Sequence, residues 1–315
     1  MNINWYPGHM AKTKKQIIED LKLIDIVAEI IDSRIPISSQ NPDIKEIIKD
    51  KKRLIILNKF DLSCSEENKK WVSYFENKQI PAVLVDSVSG KGISEALKKI
   101  AEIYDEERYQ NKGRVGKSIR VMILGIPNAG KSSFINRIAK RNTAQVGNKP
   151  GVTRQKQWIR VSDKIELLDT PGVLWPKLDN KKVALNLAYT GTIKDDILST
   201  LDIGYELLKV LQNDYLSNLM ERYKLQENEV TNIIQNNDLE ENEKTLELMN
   251  LIGKKRGAVI SGGEIDQERV ASILLEDFRS GKLGRITLET VANFERVSEM
   301  KIHQLREDLK SQILS

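Results

Sequence analysis

Short, mainly apolar runs recur through the first half of the chain, each ending in polar or small residues. Ile26 to Asp32, Arg53 to Leu57, Pro81 to Val85, Ile119 to Leu124 and the Leu167-Leu168 pair before Asp169 read as buried strands of an α/β sheet. Helical spacing predicts a helix from about Ala11 to Leu23 and another from Ser132 to about Lys140. After Pro176 only helical periodicity remains. Val183 and Leu187, then Ile197, Leu201, Tyr205 and Leu208, fall at helical intervals, and further helices are expected over Tyr215 to Tyr223, Glu240 to Ile252 and Asp266 to Arg279. The last of these carries Val270, Ile273, Leu274 and Phe278 on one face. The acidic stretch Gln226 to Glu247 reads as solvated and flanked by loops, and a final helix beyond Gly284 is expected from Leu305, Leu309 and Ile313. The pattern predicts an α/β domain over 1–177, a smaller all-α domain over 178–283 and a helical tail over 284–315.

Four of the predicted strands end in residues with evident chemistry. Ile119–Leu124 runs into Gly125-Ile126-Pro127-Asn128-Ala129-Gly130-Lys131-Ser132, a G-x-x-x-x-G-K-S loop opening a helix. Glycines let such a loop curl so that the N–H groups of Asn128, Ala129, Gly130, Lys131, Ser132 and Ser133 surround phosphate oxygens at a helix N-terminus. Lys131 then reaches the β- and γ-phosphates, and the Ser132 hydroxyl is placed for Mg²⁺. The strand ending at Leu57 runs into Asn58-Lys59-Phe60-Asp61. A carboxylate at Asp61 accepts both N1–H and the exocyclic amine of guanine, a pair that adenine lacks. Lys59 would lie along the base and Asn58 would tie this loop to the phosphate loop. After Pro81–Val85 come Asp86-Ser87-Val88-Ser89-Gly90, where Ser87 and Val88 would cover the base. Thr153, in Pro150-Gly-Val-Thr153, and the pair Asp169 and Gly172, in Asp169-Thr-Pro-Gly172, match two γ-phosphate sensors: Thr153 and Asp169 toward Mg²⁺, Gly172 N–H toward the γ-phosphate. Taken singly, Asn-Lys-x-Asp arises by chance in a chain this rich in those residues, and Asp-Thr-Pro-Gly is an ordinary turn. Their joint placement on strand ends points to a nucleotide.

The order is base motif, base loop, phosphate loop, first switch, second switch, which circularly permutes the usual arrangement. With Trp5-Tyr-Pro-Gly-His9-Met-Ala-Lys12, Asp32-Ser-Arg34-Ile-Pro36 and Thr190-Gly-Thr-Ile-Lys194, the chain resembles the circularly permuted GTPases over about residues 1 to 283. The resemblance implies a doubly wound P-loop GTPase domain followed by an RNA-binding helical domain. It also implies an assembly factor that hydrolyses GTP on the maturing large (50S) ribosomal subunit and leaves after hydrolysis. Val173, after the second switch, cannot orient the attacking water. The permutation puts the opening segment and first helix where the severed switch helix would lie, with His9 at its start. In similar proteins the equivalent histidine is proposed to swing toward that water, although His9 also reads as a plain turn residue after Pro7-Gly8. By the same resemblance Asn128 holds K⁺, while its bare chemistry is that of a turn residue.

Composition narrows the partners. A net charge of +5 and a pI near 9.0 favour a polyanion. The basic residues cluster at Lys12, Lys14 and Lys15, at Lys112, Arg114, Lys117 and Arg120, at Lys149, Arg154, Lys156 and Arg160, and at Lys254-Lys255-Arg256. Each cluster also reads as a solvated face, so RNA and ribosomal proteins enter as partners through the resemblance. A GTP-controlled adaptor for a protein partner stays open beside them. Charged residues at 30%, a mean hydropathy of -0.41 and no apolar leader argue against a membrane, and the lone Cys64 suits a reducing cytoplasm and a monomer without disulfides.

Overall fold

The computed structural model describes residues 7–48, 51–110, 118–143, 157–170, 180–193, 198–297 and 299, with only the backbone described at 7–13, 43–45, 106–110, 140–143 and 157. The chain divides into two compact units. The described residues of 7–170 join 287–297 in one unit, and those of 180–286 form the other.

The first unit is built on β1 (Ile26–Asp32), β2 (Lys52–Asn58), β3 (Ala82–Val85), β4 (Ile119–Leu124), β5 (Gln157–Arg160) and β6 (Ile165–Asp169). They form one sheet in the order β3-β2-β1-β4-β6-β5, parallel except for β5, which pairs antiparallel with β6 at the edge. All seven residues of β1 are buried, as expected of a central parallel strand covered on both faces. One face is covered by α1 (Pro7–Leu21), whose Ile17 and Leu21 pack with Val27, Met122, Leu124 and Leu168, and by α3 (Ser65–Asn77), whose Trp71 and Phe75 pack on Ile31, Ile55 and Leu57. The short α2 (Pro42–Ile47) lies between β1 and β2 in sequence. On the opposite face α4 (Ile93–Gln110) shares a cavity lined by Ile93, Leu97, Ile138 and Ile165 with α5 (Lys131–Thr143).

The first helix begins a turn before the position expected from periodicity because Pro7 supplies a pre-set φ at the first helical residue. Its length sets where it starts. Fifteen residues rise about 22 Å, close to the length of about 23 Å of the seven-residue strand β1. With only residues 22–25 between them, the start of α1 returns to the level of the strands' C-terminal ends, where the phosphate loop emerges.

The second unit contains α6 (Lys181–Tyr189), α7 (Thr200–Asp214), α8 (Leu216–Tyr223), α9 (Glu227–Ile234), α10 (Glu241–Arg256) and α11 (Gln267–Arg279). In α11, Val270, Leu274 and Phe278 are buried as the spacing predicts. In α7 the deepest face is Ile203, Leu207, Leu208 and Leu211, with Leu201 and Tyr205 only half-buried. Gly204 lets α7 and α11 close up, since a Cβ there would stand 2.4 Å from the Ala271 Cβ. The Arg222 guanidinium makes a two-pronged pair with the buried Asp277 carboxylate, at 2.9 Å for each prong. Arg279 donates to the carbonyls of Tyr189 and Ala188, at 3.0 and 2.9 Å, and so caps α6 at the start of Thr190-Gly-Thr.

Two expectations change. The acidic stretch Gln226 to Glu247 contains the helix α9, which buries Val230 and is capped where the Gln226 N–H donates to Glu229 at 3.0 Å. One buried apolar anchor is too few to show as periodicity. The tail is not helical from Gly284: residues 287–290 run without regular structure and 291–297 are helical, joining the first unit. Leu305, Leu309 and Ile313 lie outside the described residues.

Candidate active site

The phosphate loop turns sharply off β4. Gly125 has φ +151, and a Cβ there would sit 2.4 Å from the Ile30 carbonyl oxygen of the neighbouring strand. Asn128 follows with φ 59, the left-handed conformation that Asn tolerates best among non-glycines, and Gly130 with φ +97. A Cβ on Gly130 would stand 2.1 Å from the Asn58 side-chain nitrogen, so the two loops meet where only glycine fits.

Lys131 opens α5 and folds back into the loop. Its Nζ donates to the Gly125 and Ile126 carbonyls, both at 2.9 Å, and the side chain is only 8% exposed. Burial lowers its pKa to about 8, against the pull of the nearby Asp169 carboxylate. A buried ammonium at a helix N-terminus is a site built to receive an anion. Ser132 and Ser133 are exposed beside it. Asp169 closes β6 in register with Ile123, and the Thr170 hydroxyl donates to the Ile123 carbonyl at 2.5 Å.

The base loop is tied to the phosphate loop from β2. Asn58 is buried and donates to the Ala129 carbonyl at 2.8 Å, while its Oδ1 accepts from the Ser87 hydroxyl at 2.7 Å and from the Ser87 N–H at 3.2 Å. This one amide therefore joins base motif, base loop and phosphate loop. Lys59 adopts φ 60, a left-handed backbone that costs a lysine about 1–2 kcal/mol. The turn brings its Nζ 2.9 Å from Asp32 Oδ2 and 2.7 Å from the Asn128 carbonyl. Asp61 follows on a 3-10 turn, Phe60–Leu62, with its side chain exposed. Ser87 is buried, and Val88 is 80% exposed at the tip of a turn closed by the Asp86 carboxylate, which accepts from the N–H groups of Val88 and Ser89 at 2.8 and 3.1 Å.

Sequence reasoning left Asp32 and Arg34 without a structural role. Asp32 caps β1, receives Nε and Nη2 of Arg34 at 3.0 and 2.8 Å, and holds Lys59. Burial alone would raise the Asp32 carboxyl, but Arg34 and then Lys59 outweigh it and hold it well below the usual carboxylate range. The signal was available: an Asp-x-Arg pair at the end of a mainly apolar strand must find its partners within the fold.

His9 falls in the first turn of α1, at the level of the phosphate loop by the lengths given above, with its side chain outside the described residues. Thr153 and Gly172 also lie outside them. Of the basic clusters, Lys254, Lys255 and Arg256 are exposed on the last turn of α10, and Lys255 pairs with Glu229 at 2.8 Å. Arg120 lies 5.3 Å from the ring centre of the exposed Trp158 on the edge strand.

A mostly parallel sheet with a G-x-x-x-x-G-K-S loop at one strand end and Asn-Lys-x-Asp earlier in the chain, joined through Asn58, defines a P-loop GTPase of permuted order. A family described as "50S ribosome-binding GTPase" matches residues 120–250. Ribosome biogenesis GTPase A of Bacillus cereus is 42% identical over 305 residues, covering 96% of this chain and 98% of that protein. Mitochondrial ribosome-associated GTPase 1 of Mus musculus is 32% identical, covering 90% and 89%. GNP-bound YlqF from T. maritima superposes with a TM-score of 0.60 at 23% identity, covering 89% of this chain and 98% of that one. The chain belongs to the ribosome biogenesis GTPase A family of circularly permuted GTPases. It is a GTP-binding, GTP-hydrolysing enzyme of ribosome biogenesis. Among the described residues no helix is long and apolar enough to cross a membrane.

Proposed function

We propose that this GTPase docks in its GTP state on the maturing large ribosomal subunit, hydrolyses GTP there and is released. The observation that carries the nucleotide half of the reading is Asn58, whose single amide fastens the guanine-reading turn to the phosphate loop. The ribosomal half is supported by the names of its relatives, by the excess of basic residues and by the exposed Lys254-Lys255-Arg256 end of α10.

In this reading Asp61 accepts N1–H and the amine of guanine, Lys59 flanks the base, and Ser87 and Val88 cover it. Lys131 leaves its two carbonyl partners for the β- and γ-phosphates, aided by the N–H groups of Asn128 to Ser133. Gly172 N–H senses the γ-phosphate. Ser132, Thr153 and Asp169 are hard oxygen donors suited to Mg²⁺, and among the described residues no three His, Cys, Asp or Glu side chains gather, so phosphate oxygens and water would complete its shell. When bound, the ion neutralises charge developing on the phosphates. Asn128 would hold K⁺ from the exposed side of the loop.

His9 orients the attacking water as a neutral imidazole. Its helix begins at the level of the phosphate loop, and Val173 cannot serve. Phosphoryl transfer asks mainly for positioning.

The test is co-sedimentation and turnover with purified 50S particles. Wild type is expected to pellet with particles in a non-hydrolysable GTP analogue more than in GDP, and to hydrolyse GTP faster with particles present. His9→Ala should still pellet yet lose most of the acceleration, since a positioned water contributes to the transition state. No pelleting in either nucleotide state, with a purified protein accelerating turnover instead, would favour the adaptor reading.

A further inference from the structure

The last described stretch of the chain returns to the first unit and lies across the turns behind the base site. The Leu288 N–H donates to the Arg34 carbonyl at 2.8 Å, and the Cys64 N–H donates to the Thr287 hydroxyl at 2.9 Å. Between these the Glu289 carboxylate caps the turn that follows β1. It accepts from the Ile37 N–H at 2.7 Å, from the Ser38 N–H at 3.0 Å, and from the Ser38 hydroxyl. The Glu289 carbonyl receives the Trp71 indole N–H at 2.8 Å, and the Val291 N–H donates to Glu67 at 3.2 Å. Phe294 then packs with its ring centre 6.0 Å from that of Trp71 and 5.7 Å from that of Tyr74.

Both segments held this way lead to the guanine-reading residues. The capped turn includes Arg34, whose guanidinium grips Asp32, and Ser39, whose hydroxyl accepts from the Asp32 N–H at 3.0 Å. Asp32 in turn holds the Lys59 ammonium. Cys64 follows Asp61-Leu62-Ser63 directly, and that turn is locked from its other side where the Ser63 hydroxyl donates to Asn68 at 2.7 Å. An anion seated on two successive backbone N–H groups and a hydroxyl makes charge-assisted hydrogen bonds, about twice as strong as neutral ones. Nothing local in the 33–39 turn supplies that anion. It comes from a residue 251 positions later in the chain.

We propose that Glu289, with the 287–294 strap it anchors, is a positioning residue for guanine recognition. By fixing the 33–39 turn and the 60–64 turn, it holds Asp32, Lys59 and Asp61 in the arrangement that receives the base, and so slows release of guanine nucleotides. The inference rests on the reading of Lys59 and Asp61 as the guanine site. It adds a determinant outside every nucleotide motif. Coupling is reciprocal, so bound nucleotide holds the strap down by the same factor.

The experiment uses the full chain and stopped-flow displacement of a fluorescent GDP. Glu289→Ala is expected to raise the GDP dissociation rate about tenfold with little change in the association rate, and Glu289→Gln, which keeps one acceptor, to fall between. Phe294→Ala, which loosens the strap without touching the capped turn, should act in the same direction and less. Inorganic pyrophosphate, which engages only the phosphate loop, should compete with unchanged affinity in all variants. In a Lys59→Ala background, Glu289→Ala should add less than about twofold. A wild-type protein that releases GDP no more slowly than ADP would overturn the site assignment and this inference with it. A wild-type preference for GDP, with Glu289→Ala and Phe294→Ala releasing it at the wild-type rate, would overturn the inference alone. Equal losses for GDP and pyrophosphate would also overturn it, showing a general loosening of the fold.

Discussion

Lys131 makes nucleotide binding draw protons from solution. In the free protein its ammonium is buried on the Gly125 and Ile126 carbonyls with a pKa near about 8, against 10.5 for the unfolded chain. Diphosphate in the loop supplies the missing counter-charge and returns the pKa well above the working range. The fraction of neutral lysine that must then be protonated is about 0.1 at pH 7, about 0.5 at pH 8 and about 0.75 at pH 8.5. GDP affinity should accordingly weaken about fourfold between pH 7 and pH 8.5. The sign for stability follows from the same proton count. Between about 8 and 10.5 the unfolded state binds more protons than the free folded state, so stability of the free protein rises with pH across that window. The destabilising share of Lys131 is full below pH 8. Isothermal calorimetry with GDP at pH 8 in Tris and in HEPES measures the uptake as the slope of heat against buffer ionisation enthalpy, and Lys131→Arg, always charged, should bring the slope to zero. A zero slope in wild type would refute the reasoning, because it would mean the free lysine is already fully charged.

Three further outcomes follow. Gly130→Ala places a Cβ 2.1 Å from the Asn58 nitrogen in a left-handed backbone, and should lower GDP affinity about a hundredfold by titration, whereas a loss under about threefold would mean the loops can part without cost. Gly204→Ala forces α7 off Ala271 and should destabilise the helical unit by about 1–3 kcal/mol in urea melts while leaving GDP affinity unchanged. Asp61→Asn should lose GTP and gain xanthosine nucleotides, because an amide donates to the new carbonyl; an undiminished preference for GTP over ATP would remove Asp61 from the base site.

The strands and their terminal motifs were legible because β1, β2 and β4 are mainly apolar, with Glu29, Arg53 and Arg120 as the charged exceptions besides Lys52 at the start of β2, and each stops where chemistry starts. Segment types were also clear in the helical unit, where Val270, Leu274 and Phe278 recur at helical spacing. What escaped was whatever is decided by which charged groups meet in the folded chain. Arg34 is only 1% exposed, a burial no local rule predicts for arginine, because Asp32 neutralises it within the same turn. Glu289 looks like one more surface acid until Ile37 and Ser38 are folded against it. The edge strand β5, of only four residues, carries no apolar run, since its pairing with β6 does not depend on burial of both faces.

The permuted order divides the ligand's grip between two stretches of chain made at different times. In the proposed reading base recognition belongs to residues up to Val88, on the half-sheet β1-β2-β3, and the phosphate loop to residues from Gly125, on the half-sheet β4-β6-β5. The strands of the two halves meet along the β1–β4 ladder, whose register begins at Ile26 and Val121, and the loops meet where Asn58 and Lys59 donate to the Ala129 and Asn128 carbonyls. In that reading a bound nucleotide would span the seam like a rivet, with its base in the half that leaves the ribosome first and its phosphates in the half that follows. During synthesis the β1 edge that pairs with β4 is complete only once residues 119–124 have been made. Guanine nucleotide at a hundred times its dissociation constant then contributes about 2.7 kcal/mol to closing the seam. In this reading a guanine nucleotide bound across the seam stabilises the fold as well as entering the reaction.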